Sequence, residues 1–180
     1  MTPQALLDAV LKRFSVMYLS EEVQVSLLDE ALETYQRLVS PFKDITTAGT
    51  ATEIATPGDF LSVVVCSDTN GRWHKCNVSG SSLQVVTTPK SEAPYTIHYF
   101  VNLTGIDIEE GEIPADCVPL LRRYLRILIN IENTKRHRDV IAATGIQVDL
   151  PSSDELENSK AVCEEEMVDA QAIIPMATVC

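Results

Sequence analysis

The sequence predicts an α+β protein, in which a helical bundle is interrupted by an inserted antiparallel β-sheet. Apolar residues recur at helical spacing near both ends of the chain, whereas the middle, from about residue 45 to residue 104, contains short apolar runs separated by turn residues. The length of 180 residues and the hydrophobic content of 45% suit a single domain spanning residues 1–180. We expect helices within residues 3–40 and 114–172, about four or five strands between them, and a tail over residues 173–180.

The first forty residues predict a hairpin of two helices. Thr2 is a suitable N-cap, and Pro3 takes the first helical position, where its missing N–H costs nothing. Ser20 opens a second helix that Pro41 ends, and we expect only one or two residues between the two helices. Their apolar faces consist of Leu6, Leu7, Val10, Leu11 and Phe14 in the first helix and Leu28, Ala31, Leu32, Tyr35, Leu38 and Val39 in the second.

The middle of the chain predicts an antiparallel meander. Short apolar runs alternate with turns, of which the clearest has Asn70-Gly71 at its centre. Residues 45–56 are rich in Thr and Ala and suit either an edge strand or a loop. One face of such a sheet needs a cover. The strands are expected at residues 59–67, which read as buried, and at residues 72–78, 82–89 and 95–103.

Residues 113–138 contain the longest amphipathic helix of the sequence. Six apolar residues follow the i, i+3, i+4, i+7 spacing and therefore share one face, which Ile127 and Ile129 widen. A face this broad must be buried by other elements, because such a helix is not stable alone in water. We expect the sheet and the N-terminal hairpin to cover it, and Gly145 to end the helix. The six residues are Leu120, Leu121, Tyr124, Leu125, Leu128 and Ile131.

A last helix follows a short connection. Ser152 and Glu155 have the spacing of a capping box, which marks a helix start, and Pro175 is expected to stop the helix. Beyond it, residues 173–180 form a short apolar tail. The helix carries a thin apolar stripe that consists of Leu156, Val162, Cys163, Met167 and Ala170.

Charge is distributed unevenly along the chain. The net charge of −12 argues against a protein that binds nucleic acid through its phosphates, since that affinity depends on Lys and Arg. From residue 149 onward there are eight acidic residues and one lysine, so basic and acidic helices either attract each other within one chain or meet between subunits. Six of the 14 basic residues lie in the long helix: Arg122, Arg123, Arg126, Lys135, Arg136 and Arg138.

The sharpest charge cluster is KRHR at residues 135–138. If it lies at the end of a helix, the favourable interaction of cations with the C-terminal dipole explains it. Contact with an acidic partner surface is the other interpretation.

The composition indicates a soluble intracellular protein that makes no use of a membrane. The sequence lacks a run of about eighteen apolar residues, and its N-terminus lacks the pattern of a secretory signal. The five cysteines are odd in number and lack the C-x-x-C spacing of zinc or redox sites. We therefore expect reduced thiols that serve as small apolar residues.

Catalytic and ligand-binding patterns are weak throughout. Cys76 and His74 are two residues apart on one strand, so they share a face and form the only candidate for a thiol hydrolase, with Cys66 nearby; the alternative is a hairpin with an exposed histidine. His98 is expected to be an ordinary strand residue. Phosphate-binding loops and EF-hand loops are missing from the sequence. We predict no catalytic residues, no cofactor and no metal.

The element order resembles a known family. Two N-terminal helices, an inserted sheet, a long helix that starts I-P-A-D-C-V-P and an acidic helix ending C-E-E-E-M are similar to the head-to-tail adaptor, or connector, proteins of tailed bacteriophages, including the tubular tail A-like proteins. Residues 113–128 and 153–167 carry the resemblance. Such adaptors are structural virion proteins rather than enzymes.

The resemblance implies particular partners. An adaptor of this family forms a ring, expected here to be a dodecamer, beneath the portal protein, contacts the tail nozzle or next tail component, and surrounds a channel for double-stranded DNA without binding it specifically. It is assembled in the host cytoplasm and located in the phage neck. We expect the six basic residues of the long helix to contact the portal or a neighbouring subunit, together with Ile173, Ile174, Met176 and Val179 of the tail. A small α+β protein-binding module without ring symmetry remains an alternative.

Overall fold

The fold is α+β, and the described part of the chain contains four helices and a six-stranded antiparallel sheet. The computed structural model describes residues 1–144 and 150–171. These residues form two compact units: a helical unit, Met1–Val39 with Leu103–Gln171, and a sheet unit, Ser40–Asn102. In chain order the sheet unit is inserted between the second and third helices, which agrees with the predicted helical bundle and inserted sheet. No helix in the described part of the chain is long and apolar enough to cross a membrane.

Helix α1 spans Pro3–Leu11 and helix α2 spans Glu21–Val39. The Thr2 hydroxyl accepts a hydrogen bond from the Ala5 N–H at 3.2 Å, which confirms the predicted N-cap. The connection between the two helices is longer than the one or two residues expected. It is held to the third helix by the Asn133 side chain, which accepts from the Tyr18 N–H at 2.7 Å and donates to the Val16 carbonyl at 3.1 Å. Sequence spacing cannot predict hydrogen bonds between residues so far apart in the chain.

Helix α3 spans Val118–Thr144 and is the centre of the helical unit. It starts later than residue 114, because a turn closed by the Cys117 N–H and the Pro114 carbonyl precedes it. Helices α1 and α2 pack against it, which confirms the predicted cover by the N-terminal hairpin, and α4 packs against it as well. Gly145, the expected terminator, lies outside the described residues. The buried residues of α3 include Leu121, Tyr124, Leu125, Leu128 and Ile129, whereas Leu120 and Ile131 are half-buried.

Helix α4 spans Ser153–Asp169 and ends before Pro175, the predicted stop. The capping box is confirmed, because the Glu155 N–H donates to the Ser152 hydroxyl at 3.1 Å while the Ser152 N–H donates to the Glu155 carboxylate at 2.8 Å. Two members of the predicted stripe are wrong: Val162 is exposed because it lies outside the narrow face that packs on the bundle, and Ala170 is exposed because it is the C-cap beyond the last residue of the helix. The buried residues are Leu156, Cys163 and Met167.

The capping box predicts a measurable effect of one hydroxyl. Ser152→Ala should lower the free energy of unfolding by about 1 kcal/mol, because it removes the acceptor for one of the unpaired N–H groups of the first turn. Chemical denaturation followed by circular dichroism measures this change. Ser159→Ala is the matched control: its hydroxyl donates only to the Glu155 carbonyl within the helix, so its loss should cost almost nothing. Equal losses in the two variants would contradict the capping role.

Among residues 1–144 and 150–171 the sheet has six strands in the order β1-β6-β3-β4-β5-β2, more than the four or five predicted. Only β3, β4 and β5 follow one another as a meander, whereas β6 inserts between β1 and β3, and β2 pairs with β5. The Thr-rich stretch at residues 45–56 thus contributes to both edge strands. The strands are β1 Phe42–Thr46, β2 Glu53–Ala55, β3 Phe60–Ser67, β4 Trp73–Ser79, β5 Ser82–Val86 and β6 Thr96–Val101.

The sheet unit has an apolar cluster of its own. It contains Cys66, Leu83, Val85, Tyr95 and Ile97, contributed by β3, β5, β6 and the segment before β6. Strand β3 was predicted to be buried, but Cys66 is its only buried residue, because two irregularities in its pairing with β6 interrupt the regular alternation. The predicted turn after β3 is confirmed, with Gly71 at φ +73°, a conformation that glycine adopts readily.

Candidate functional site

The first candidate site is the basic surface of α3, which lies beside the acidic helix α4. Arg123 forms a bidentate ion pair with Glu166 of α4, with N···O distances of 2.6 and 2.8 Å. Nearby, the buried Tyr124 hydroxyl donates to the Glu164 carboxylate at 2.6 Å. The structure therefore shows attraction between the basic and acidic helices within one chain. The ion pair is about half-exposed, so its contribution to stability is small and its geometry matters more.

Two further basic residues of α3 have partners close by. Arg138 donates to the Ser153 hydroxyl at 2.8 Å and to the Pro151 carbonyl, and so it ties α3 to the start of α4. Lys135 lies 3.6 Å from Glu132, one helical turn away. Both side chains therefore already have polar partners within the same chain.

Arg122 lies in a less polar position than its neighbours. One of its terminal nitrogens is 3.6 Å from the Met1 sulfur. Its Nε atom is buried, and among the described residues it has no hydrogen-bond partner. Its Nε atom is therefore not accessible to a docking partner, although the residue as a whole is only half-buried.

Arg126 and Arg136 are exposed and, within residues 1–144 and 150–171, neither takes part in an ion pair. Of the six predicted contact residues on α3, these two are thus open to a partner. Two of the six, Arg123 and Arg126, line a common groove. The predicted tail residues, Ile173, Ile174, Met176 and Val179, lie outside the described residues.

The KRHR cluster at residues 135–138 does not end a helix. Helix α3 continues to Thr144, and its last turn contains no basic residue. The explanation through the helix dipole is therefore wrong, because the dipole effect is confined to the final turn. One member of the cluster has a packing role instead: the His137 ring stacks on Tyr18, with ring centres 4.7 Å apart.

Two surface grooves flank helix α4. The α3–α4 groove, about 450 Å³ in volume, is lined by basic, polar and apolar side chains, and the α2–α4 groove, about 540 Å³, is lined mainly by acidic and apolar ones. Both are lined by a mixture of apolar and charged side chains, which is a composition found at protein-binding surfaces. The α3–α4 groove is lined by Arg123, Arg126, Ile127, Asn130, Leu156, Asn158, Ser159 and Val162. The α2–α4 groove is lined by Arg37, Leu38, Ala161, Glu164, Glu165, Val168 and Asp169.

The second candidate site is the histidine of the β3–β4 hairpin. The His74 side chain is only 4% exposed. The alternative to a thiol hydrolase, a hairpin with an exposed histidine, is therefore wrong about this residue. Cys66, rather than Cys76, lies directly across from His74 in the sheet. Burial raises the pKa of the Cys66 thiol to about 11 and also raises the pKa of Cys76. Both thiols are therefore protonated at neutral pH, which weakens the case for a thiol hydrolase because the thiolate is the nucleophile.

His74 belongs to a polar network that the sequence did not reveal. Its Nε2 atom lies 3.2 Å from the Asp68 carboxylate, and its Nδ1 atom lies 3.4 Å from the Ser91 hydroxyl. Because a carboxylate only accepts, Nε2 carries the hydrogen of the contact with Asp68, while Nδ1 forms the contact with the Ser91 hydroxyl. The Ser91 oxygen also accepts from the Thr88 N–H at 2.7 Å. The network thus ties the β3–β4 turn to residues 88–92.

Asp68 is the centre of this network. Burial by itself would raise the pKa of its carboxyl, but hydrogen bonds from the Arg72 N–H, the His74 ring and the N–H groups of Glu92 and Asn70 lower the pKa to about 2. The backbone bonds measure 2.9 Å from Arg72, 2.9 Å from Asn70 and 3.3 Å from Glu92. An Asp placed two residues before an Asn-Gly turn was the sequence signal for this site, since Asp side chains accept from the backbone two residues further on.

The acidic loop before α3 is organised by one carboxylate and one glycine. The Asp107 carboxylate accepts from the N–H groups of Glu109 and Glu110, both at 2.8 Å, and these bonds lower its pKa. A Cβ at Gly111 would lie 2.5 Å from the Asp107 carbonyl, so only glycine fits this turn. Among the residues that the structure describes, no three His, Cys, Asp or Glu side chains are placed to hold a metal ion.

A scan against protein-family models finds no model that matches this chain, and a search of curated proteins finds none that is similar to it. The functional argument therefore depends on the residues and their geometry.

Proposed function

We propose that this protein is a head-to-tail adaptor of a tailed bacteriophage, a structural component whose copies form a ring beneath the portal. The observation that carries the proposal is the architecture itself: a four-helix unit interrupted by an inserted antiparallel sheet, in the element order that the resemblance implies. In this proposal the ring is a dodecamer that joins the portal to the next tail component.

The surface charges support such a role. Arg126 and Arg136 are exposed on α3 without ion-pair partners in the described residues, and they are suited to an acidic surface of the portal or of a neighbouring subunit. The chain as a whole carries a net charge of −12, so a ring of copies would allow double-stranded DNA to pass without gripping it. The location in the virion neck is part of the same proposal.

The thiol-hydrolase alternative has less support. The two thiols of the sheet unit are protonated at neutral pH, and the His74 ring is occupied by Asp68 and Ser91. A protein-binding module without ring symmetry shares the same surfaces and differs only in its assembly. The assembly state is therefore the property to measure.

The test is native mass measurement of the purified chain, alone and mixed with the portal of the same phage, combined with electron microscopy of negatively stained particles. We expect a closed ring of about 240 kDa for twelve copies of the 19.8-kDa chain, formed either alone or on the portal. A chain that stays monomeric under both conditions and is missing from purified virions would exclude the adaptor role. A monomer that binds a different protein would favour the binding module.

A further inference from the structure

Helix α4 presents two different flanks to the surface. With 3.6 residues per turn, the buried residues Leu156, Cys163 and Met167 form its inner stripe. Val162 lies to one side of this stripe and lines the α3–α4 groove, whereas Val168 lies to the other side and lines the α2–α4 groove. The two grooves therefore lie on opposite flanks of one helix.

The grooves on the two flanks of α4 carry opposite charge. Arg123 and Arg126 line the α3–α4 groove, and Arg126 lacks an ion-pair partner among the described residues. The α2–α4 groove has three carboxylates against one basic residue, Arg37. Two of these carboxylates, Glu165 and Asp169, have no ion-pair partner in the described part of the chain. In the described residues, the α3–α4 groove thus contains one basic side chain without an ion-pair partner, Arg126, and the α2–α4 groove contains two such acidic side chains, Glu165 and Asp169.

Each groove also contains an exposed apolar side chain. Val162 is 42% exposed and Val168 is 50% exposed. Apolar side chains surrounded by charged groups are typical of surfaces that become buried on association. The two grooves are therefore complementary. Each has an exposed apolar side chain that can be buried in a contact, and their charges are opposite.

We propose that the α3–α4 groove of one copy of this chain receives the acidic flank at the α2–α4 groove of a second copy. In this contact Arg126 of one copy faces Glu165 and Asp169 of the next, and the exposed valines are buried between them. Because two different surfaces of the same molecule are used, the contact is heterologous and repeats from copy to copy, which is what a ring requires. The inference rests on the proposed adaptor function, and it identifies the surfaces by which neighbouring copies meet.

The test is reversal of charge on each flank, followed by measurement of assembly by analytical ultracentrifugation and native mass. Arg126→Glu and the double variant Glu165→Lys/Asp169→Lys each place like charges in the contact, and each should weaken association by at least about 10-fold. The chain that carries all three substitutions restores opposite charges and should regain assembly. The same substitutions should leave the circular dichroism spectrum unchanged, because all three side chains are exposed.

Matched controls separate this contact from a general effect of charge. Lys12→Glu changes an exposed basic residue at the C-cap of α1, outside the α3–α4 groove, and Asp29→Lys changes an exposed acidic residue of α2 outside the α2–α4 groove. Both controls should assemble as the wild type does.

The outcomes distinguish the inference from the proposed function. If the wild type forms rings and the flank variants form them equally well, the ring stands and this contact is wrong. If only Arg126→Glu impairs assembly, the groove binds another acidic partner, and the contact between copies is again wrong. If the wild type forms no ring, alone or on the portal, the proposed function fails together with the inference.

Discussion

Leu125→Ala is expected to lower the free energy of unfolding of the helical unit by about 3 kcal/mol. Leu125 is fully buried in α3, the helix against which α1, α2 and α4 all pack. The substitution removes buried methyl and methylene groups and leaves a cavity that three surrounding helices cannot fill without moving. The loss is large relative to the marginal stability of a domain of this size. Urea denaturation followed by far-UV circular dichroism, which reports mainly on helices, measures it.

Leu120→Ala is the matched control, with the same chemical change on the same helix. Leu120 is half-buried, so its truncation should cost only about 1 kcal/mol, since less apolar surface returns to water and no closed cavity forms. Equal losses at both positions would mean that the helices do not enclose Leu125 as described. A loss at neither position would mean that α3 is not the centre of the unit.

The same pair of leucines shows what sequence spacing can and cannot predict about the fold. Both follow the helical period and were assigned to one apolar face, and the helix exists as predicted. The period fixes the angle of a side chain around the helix, but the depth of its burial depends on which elements pack against it. Those elements proved to be three helices. Caps are predicted more accurately because their contacts are local, as Thr2 and Ser152 show.

The strand topology was less predictable for a similar reason. The hairpin around Asn70 is a local feature and was predicted correctly, whereas the insertion of β6 between β1 and β3 depends on pairing between residues 29 to 58 positions apart in the chain. The short edge strand β2 has only three residues and is barely distinguishable from a loop in the sequence. Composition alone therefore leaves both the count and the order of the strands open.

The candidate surfaces show the same limit at the level of single residues. The sequence predicted attraction between a basic and an acidic helix, and Arg123 with Glu166 is such a pair. Arg126 is only three residues from Arg123 and looks equivalent in the sequence, but it has no ion-pair partner among the described residues. Which basic residue is neutralised depends on the register of α3 against α4. That register is a tertiary property, and it decides which charges remain for a partner.

Asp68→Asn is expected to lower the melting temperature of the sheet unit by about 5 to 10 °C at neutral pH. The substitution keeps the size of the side chain but replaces a carboxylate oxygen with an NH₂ group, which cannot accept from the N–H groups that converge on Asp68. Both carboxylate oxygens are used: one accepts from Asn70 and Arg72, and the other from Glu92 and His74. At least one buried donor therefore loses its acceptor. Thermal denaturation followed by the near-UV signal of the sheet aromatics, including Trp73, measures the change.

The pH dependence of this effect has a definite sign. The pKa of the Asp68 carboxyl is about 2 in the folded protein, below its ordinary value of 3.8, so the folded state favours the charged form. Its stabilising contribution is therefore fully present above about pH 4 and is lost as the pH falls towards about 2. The melting temperatures of the wild type and of Asp68→Asn should differ most near neutral pH and should converge between about pH 4 and pH 2. Convergence distinguishes loss of a charged acceptor from a simple packing defect, which would not depend on pH.

Asp44→Asn is the control for this experiment, because Asp44 is an exposed aspartate of β1 in the same unit. The variant makes the same chemical change without removing a buried acceptor, so its melting temperature should follow that of the wild type at every pH. If Asp68→Asn also follows the wild type at every pH, the hydrogen bonds to Asp68 do not stabilise the charged carboxylate, and the network would not hold the β3–β4 turn. If instead the difference persists unchanged down to pH 2, the loss arises from packing at Asp68 rather than from its charge.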